Sequence, residues 1–303
     1  MHGNYWIWVD GHALPADQAR VPVLDRGFLY GDSVYEVTRT VAQKPLFYDL
    51  HLSRLGRSAA ALGIKVPTKQ EIDGAVGETI AAALSSAEPE AGESHKTPPG
   101  RECYLRIIVT RGGGPIDLDP EAADEPRLVV IAKDLVLPEP RLYREGATLA
   151  VVSQRRNAPG HVAPEIKSGN YLSSVLALAT ARRRGAYEAL LLDLHGQVSE
   201  GASSNVFAVI DGRLCTPPRS VGILAGITRG VVIRLATGDG IMVSEEPLAL
   251  ADVHTADEVF ITSSVRGIVP VARIDGLTIG SGRPGPLTQR LMHLYEKLIG
   301  SLS

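Results

Sequence analysis

Apolar and polar positions alternate with two distinct periods along the chain. Residues 33–40 set Val34, Glu36 and Thr38 against Tyr35, Val37 and Arg39, the period-two pattern of a half-buried strand. Residues 5–9, 104–110 and 127–133 read as further strands from their β-branched and aromatic content. Between them, residues 49–63 place Leu52, Leu55, Ala59 and Leu62 at helical spacing and stop at Gly63. Both periods recur farther on. Strands are predicted at 147–153, 188–194, 204–210 and 257–263. Helices are predicted at 168–184, with Leu172, Val175, Leu176 and Ala179 on one face, at 226–237, entered through Gly226, and at 286–299, starting on a proline. Helices and strands do not alternate strictly, which favours an α+β architecture over a doubly wound sheet.

Two Pro-rich stretches break these patterns. Residues 85–100 are small and polar and read as an exposed loop, whereas 134–146 carry two prolines between apolar stretches and read as a linker. The organisation expected is a smaller N-terminal domain over 1–133, a linker over 134–143 and a larger C-terminal domain over 144–303. The length of 303 residues accommodates two such domains.

Composition mainly removes possibilities. A net charge of −3 and a pI near 6.3 provide no global field for a polyanion, so no nucleic-acid partner is expected. No segment approaches the roughly 18–20 apolar residues of a membrane span, and residues 1–10 lack a basic leader pattern. Cys103 and Cys215 form neither a disulfide framework nor a CxxC site, and the eight histidines show no spacing suited to zinc. These features point to a metal-free, cytoplasmic protein.

Generic motif scans add little. Residues 280–285 (GSGRPG) match GxGxxG but have no room for a following βαβ unit, and there is no GxSxG elbow. Three stretches are more informative. In 163–171 (APEIKSGNY), Lys167 directly precedes the predicted helix, whose positive dipole end would favour an unprotonated amine. In 196–207 (GQVSEGASSNVF), Glu200 lies among small residues between two predicted strands. In 222–230 (GILAGITRG), a glycine-bounded loop enters a helix whose N–H groups could receive a phosphate. Each has an ordinary alternative; Lys167 alone reads as a solvated surface lysine. Together they match the needs of pyridoxal 5′-phosphate: an amine for the imine, a phosphate cup, and a carboxylate to keep the pyridine nitrogen protonated.

The chain resembles the fold-type IV family of pyridoxal-phosphate enzymes, from residue 5 to about 297. Its motifs stand in family order: DRGFLYGDSVYEV at 25–37, HLSRL at 51–55, YLRIIVTRG at 104–112, EIKSGNYLSS at 165–174, VSEGASSNVF at 198–207, GILAGITRG at 222–230 and EVFITSSVRGIVPV at 258–271. The resemblance implies a two-domain α+β fold of the D-amino-acid aminotransferase type. It implies that Lys167 is the catalytic lysine, joined to the cofactor and shuttling a proton. Glu200 would pair with the pyridine nitrogen, Tyr171 with the phenolic oxygen, and Arg54, Ile227, Thr228 and Ser264 with the phosphate. Family members are generally homodimers, which would bring Tyr30 to the neighbouring copy's pocket and the linker near 134–143 over it.

Substrate signals are mixed. Tyr104 and Arg106 stand in a YLR stretch like that of branched-chain aminotransferases, and the chain lacks the Arg-x-His carboxylate trap of D-amino-acid aminotransferases. Tyr35 and Val37 are nearer the D-amino-acid and amine subfamilies. At 265–267, Val265 and Arg266 replace two small residues, so Arg266 could bind a carboxylate, block one, or face solvent. The resemblance therefore implies a transaminase acting on L-branched-chain amino acids and 2-oxo acids, with some activity on R-amines. A D-amino-acid transaminase, an aminodeoxychorismate lyase and a noncatalytic phosphate-ligand-binding protein are the alternatives.

Overall fold

The computed structural model describes residues 4–86, 100–123, 125–155 and 165–302. Its contacts divide the chain into two units, Met1–Leu137 with Ile166–Asn170, and Pro138–Glu165 with Tyr171–Leu302. The division falls after Leu137, and the five residues around Lys167 pack with the first unit although their chain neighbours belong to the second.

The first unit contains β1 (Tyr5–Val9), β2 (His12–Pro15), α1 (Arg26–Tyr30), β3 (Ser33–Val41), β4 (Lys44–Pro45), α2 (Tyr48–Leu62), α3 (Lys69–Ser85), β5 (Cys103–Thr110) and β6 (Arg127–Asp134). The six strands form one antiparallel sheet in the order β2-β1-β6-β5-β3-β4. Alternation decides its two faces. Cys103, Leu105, Ile107 and Val109 of β5, with Val34 of β3, join Leu55 and Ala59 of α2 and Ile72, Ala75, Val76, Ile80 and Ala83 of α3 in one core. The other face carries Tyr35 and Val37 beside Tyr104 and Arg106, aligned by the pairing of Tyr35 with Ile108 and Val37 with Arg106. Helix α3 is an addition to the sequence-based elements. Its start is a capping box in which the Thr68 side chain accepts from Glu71 N–H and the Glu71 carboxylate takes the Thr68 N–H. Of the expected loop at 85–100, residues 87–99 lie outside the described residues.

The second unit contains α4 (Pro140–Glu145), β7 (Ala147–Arg155), α5 (Leu172–Arg183), β8 (Glu188–Leu192), β9 (Gln197–Gly201), β10 (Asn205–Ile210), β11 (Arg213–Thr216), α6 (Ile227–Gly238), β12 (Val243–Glu245), β13 (Leu248–Ala249), α7 (Leu250–His254), β14 (Glu258–Ser263), β15 (Gly267–Ile274), β16 (Leu277–Thr278) and α8 (Pro286–Gly300). The strands run β12-β11-β10-β14-β15-β7-β8-β9-β13, and β9 also pairs with β10 through Glu200 and Asn205. That pairing closes β10-β14-β15-β7-β8-β9 into a six-strand ring, filled by Leu149, Leu190, Val198, Val206, Ile261 and Val269 among others.

Two expectations change here. The helix expected at 168–184 begins at Leu172, so Lys167 does not directly precede it and the dipole argument for its amine fails. The apolar face that the spacing marks is exposed at Leu172, Val175 and Leu176. Helix α5 buries Ser174, Ala177 and Ala181, small residues that let its backbone approach β7 and β8 closely. Finally, Glu200 lies within β9, not between strands.

Candidate active-site residues

In the first unit, much of the 25–37 motif holds the local structure together. The Asp25 carboxylate caps α1 at Gly27 N–H and accepts from the Thr110 hydroxyl, while Arg26 and Arg111 converge on Asp32. Burial raises the affinity of Asp32 for a proton, but the two arginines outweigh it and hold the carboxyl below its usual range. Residues 167–169 dock along β3: Tyr35 N–H donates to Lys167 O at 3.0 Å and Gly169 N–H to Ser33 O at 2.9 Å. A Cβ on Gly169 would collide with Ser33 Oγ, so this approach requires glycine.

That docking sets Lys167 beside Tyr35. Its Nζ is 3.3 Å from the Tyr35 hydroxyl and 4.4 Å from the ring centroid, and Arg106 lies 4.1 Å from the same centroid. The Lys167 backbone N–H donates to Ser58 Oγ on α2. His51, Arg54 and Ser58 share one face of α2 at i, i+3 and i+7. Arg54 Nε and Nη2 each donate to Glu36 at 2.7 Å, and His51 Nδ1 lies 2.7 Å from Glu36 Oε2. The side chains of His51, Arg54 and Glu36 are at most 4% exposed. Burial alone would raise the Glu36 pKa, but Arg54 and His51 bring it to about 2. Burial lowers the His51 pKa, and the charges of Arg54 and Lys167 add to that, against the opposing pull of Glu36. The cluster is therefore a carboxylate, a neutral imidazole and a guanidinium. Tyr30 stacks under Arg26, and Tyr104 lies 5.4 Å from Lys133 Nζ.

In the second unit, Glu200 is buried and directly opposite Asn205. Its Oε2 accepts from Asn205 Nδ2 at 3.2 Å and from Leu224 N–H at 3.0 Å, and Asn205 Nδ2 also donates to Leu224 O. A Cβ on Gly226 would collide with Asn205 Oδ1, so the turn into α6 lies against this pair. Gly226 gives α6 no side-chain cap. Helix α8 provides the contrast, since Glu258 accepts from Leu287 and Thr288 N–H at its start. The first N–H groups of α6, including those of Ile227 and Thr228, have no intrahelical acceptor. Among the described residues, buried Thr228 Oγ1 has no hydrogen-bond partner. Tyr171 donates its hydroxyl to Ala202 O at 3.3 Å.

Ser264, Val265 and Arg266 form the half-buried turn between β14 and β15. Arg266 is neither solvent-facing nor idle. Its guanidinium donates to Ser263 Oγ, Glu188 Oε2, Ser203 O and Ser203 Oγ, all within 3.2 Å.

Of the expected site residues, the first unit holds Tyr30, Arg54, Tyr35, Val37, Tyr104, Arg106 and Lys167, of which Lys167, Tyr35 and Arg106 are in contact while Tyr104 stands farther along β5 opposite Arg39; the second unit holds Tyr171, Glu200, Ile227, Thr228, Ser264, Val265 and Arg266. Sequence reasoning omits Glu36, His51, Ser58 and Asn205 as site residues. For all but Glu36 a signal is present in the chain: three polar residues at helical spacing on one face of α2, and an Asn closing the small-residue run after Glu200.

The model of the amino-transferase class IV family matches residues 33–274. A provisionally named branched-chain-amino-acid aminotransferase of Methanocaldococcus jannaschii is 40% identical over 294 residues, covering 96% of each chain. The branched-chain-amino-acid aminotransferase of Escherichia coli K12 is 32% identical, over 96% of this chain and 91% of that one. A solved branched-chain amino acid aminotransferase of T.th., complexed with N-(5′-phosphopyridoxyl)-L-glutamate, superposes with a TM-score of 0.85 at 31% identity. That match covers 98% of this chain and 94% of the other. Seven ordered motifs, two units with the expected mix of sheet and helix, and these matches agree: the chain is a fold-type IV enzyme and belongs to the class IV aminotransferases.

Proposed function

We propose that this aminotransferase uses pyridoxal 5′-phosphate to move amino groups between L-branched-chain amino acids and 2-oxo acids. The observation that carries the cofactor assignment is the uncapped start of α6, where buried Thr228 Oγ1 has no partner among the described residues. Such an orphan costs about 1–3 kcal/mol unless a ligand satisfies it. An anion at those N–H groups and that hydroxyl does so. Glu200 also fits, because two N–H donors fix its Oε2 in a buried position from which the carboxyl group can accept from a protonated ring nitrogen. When bound, the cofactor supplies the electron sink that lets an amino group leave one carbon skeleton and join another.

Lys167 is assigned the covalent link and the proton transfer at the substrate Cα; the Tyr35 hydroxyl beside it orients the amine. Arg54 and Ser264 join Ile227 and Thr228 on the phosphate, and Tyr171 takes the phenolic oxygen. Tyr35, Val37, Tyr104 and Arg106, sharing one sheet face, supply substrate contacts, with Val265 at the carboxylate end. The branched-chain relatives support L-amino acids and 2-oxo acids over the D-amino-acid and lyase alternatives. R-amines are a side activity of this proposal, founded on Tyr35 and Val37.

The active form in this reading is a homodimer to which Tyr30 contributes. Val23, Phe28, Ile116 and Leu118 are exposed around α1, and Arg26 ties α1 to the carbonyls of Asp117 and Leu118. Buried, unpaired Cys103 and Cys215 suit a reducing compartment such as the cytoplasm.

Half-reactions with L-leucine, L-isoleucine, L-valine, D-alanine and R-1-phenylethylamine, followed by the absorbance of the bound cofactor, test this function. Rapid conversion is expected with the three L-amino acids. No response to any of the three L-amino acids, or multiple-turnover pyruvate release from aminodeoxychorismate without an oxo acid, would overturn it. Borohydride trapping and peptide mapping should mark Lys167.

A further inference from the structure

Arg266 replaces a small residue of the branched-chain pattern, and the structure gives it a full set of contacts. Four hydrogen bonds engage its guanidinium: Nε with Ser263 Oγ at 3.0 Å, Nη1 with Glu188 Oε2 at 3.1 Å, and Nη2 with Ser203 Oγ at 2.9 Å and Ser203 O at 3.2 Å. Glu188, 1% exposed, is the buried counter-charge, and its Oε2 also accepts from the Ser203 hydroxyl at 2.8 Å. The Tyr143 hydroxyl donates to the Arg266 carbonyl. With four of its five N–H donors engaged within the protein, this guanidinium is poorly equipped to hold a substrate carboxylate. It is well equipped to join two turns. One is the turn 263–267, which carries Ser264. The other is 201–204, which directly follows Glu200 and whose Ala202 carbonyl receives the Tyr171 hydroxyl.

We propose that Arg266 is a positioning residue that fastens the 201–204 and 263–267 turns together, with Glu188 as its anchor, and thereby fixes Glu200 and Ser264 relative to each other. The proposal rests on the cofactor reading above. Ser203 is the receiving end of the fastening: removing its hydroxyl takes one contact from Arg266 and one from Glu188 while leaving the ion pair. Lysine at 266 keeps the charge but cannot bridge Glu188, Ser203 and Ser263 at once. Because 201–204 continues from Glu200, loosening it alters the hydrogen bond to the ring nitrogen, which the cofactor's absorption reports.

The test compares cofactor-loaded full-length wild type with R266M, R266K, S203A and the R266M/S203A double variant. Each is measured for the pyridoxal-phosphate dissociation constant and for its absorption spectrum across pH. R266M is expected to weaken cofactor binding about tenfold, the scale of losing hydrogen bonds to a charged group, and to move the pH midpoint of the spectral transition. S203A moves both in the same direction by less, R266K falls between, and the double variant falls short of the product of the two single effects, since both variants remove the Arg266–Ser203 hydroxyl contact. R266M within about twofold of wild type with an unmoved midpoint overturns the proposal, as do effects of R266M and S203A that multiply independently. Should R266M not fold, the R266K and S203A cycle carries the same comparison. Wild-type protein that takes up no cofactor at Lys167 overturns the functional reading itself; wild-type uptake with indifferent Arg266 variants overturns this proposal alone.

Discussion

Glu36 concentrates the electrostatics of the first unit into one carboxylate. It accepts from Arg54 and His51 beside a core of Leu55, Ala59 and Val34, and its pKa of about 2 lies well below the ordinary 4.5. The unfolded chain therefore takes up a proton at Glu36 before the folded one does. Stability from this group is present above pH 4.5 and is lost as pH falls toward 2. His51 adds an earlier loss, because burial lowers its pKa from 6.5 and the unfolded chain protonates first there too. Urea unfolding of the cofactor-free protein should thus show acid destabilisation in two steps, one starting near 6.5 and one near 4.5. E36Q should diminish the second step, leaving the part due to Asp32, and lower stability at neutral pH by about 3–5 kcal/mol, by removing the Glu36 carboxylate from buried Arg54. A single acid transition, unchanged in E36Q, would contradict this. The motif HLSRL displays both His51 and Arg54, but a linear sequence does not state that Glu36 lies opposite them across the strand. That fact depends on tertiary packing, which is why Glu36 reads in the sequence only as part of an alternation.

Elements are most legible where one period dominates. Strands β3, β5 and β6 and helices α2, α6 and α8 fall within a residue or two of their predicted bounds. Helix α5 is locatable from sequence but faces the other way, because its contacts use Ala and Ser, which carry little hydrophobic signal, and leave its leucines outside. Helix α3 has an ordinary start signal in Thr68 and Glu71, yet two glycines and several alanines within it weaken the periodicity. Its cap should be correspondingly important. T68A is expected to lower unfolding free energy by about 1 kcal/mol, with an unchanged urea m-value, because the Thr68 side-chain contacts are lost while the packed face is kept. The positions proposed to contact the cofactor are legible as motifs. The reason they suit an anion, an uncapped helix beside an orphaned hydroxyl, becomes visible only in three dimensions.

For the whole molecule, the exposed apolar side chains around α1 bear on assembly. Scattered apolar residues are ordinary at a surface, but Phe28 at 73% and Leu118 at 78% exposure flank the same Arg26-tied loop. In a homodimer built on this region, F28D with L118D should shift the sedimentation coefficient to that of a monomer while leaving the far-ultraviolet circular dichroism unchanged. A sedimentation coefficient equal to wild type would place the assembly surface elsewhere. Composition and charge exclude only other classes of partner; they contain no positional information from which an interface could be read.

The ring of the second unit has a consequence for how the chain is made. Its closing contact joins Glu200 to Asn205, near neighbours in sequence, but β7 must pair in parallel with β15, matching Ala147 to Val271. During synthesis the strands of the first unit have emerged by residue 134, while β7 waits for a partner that the ribosome delivers near the end. Lys167 emerges within that interval and has its docking strand β3 already in place. The nascent chain can thus seat Lys167 against β3 before the unit that follows has a closed core.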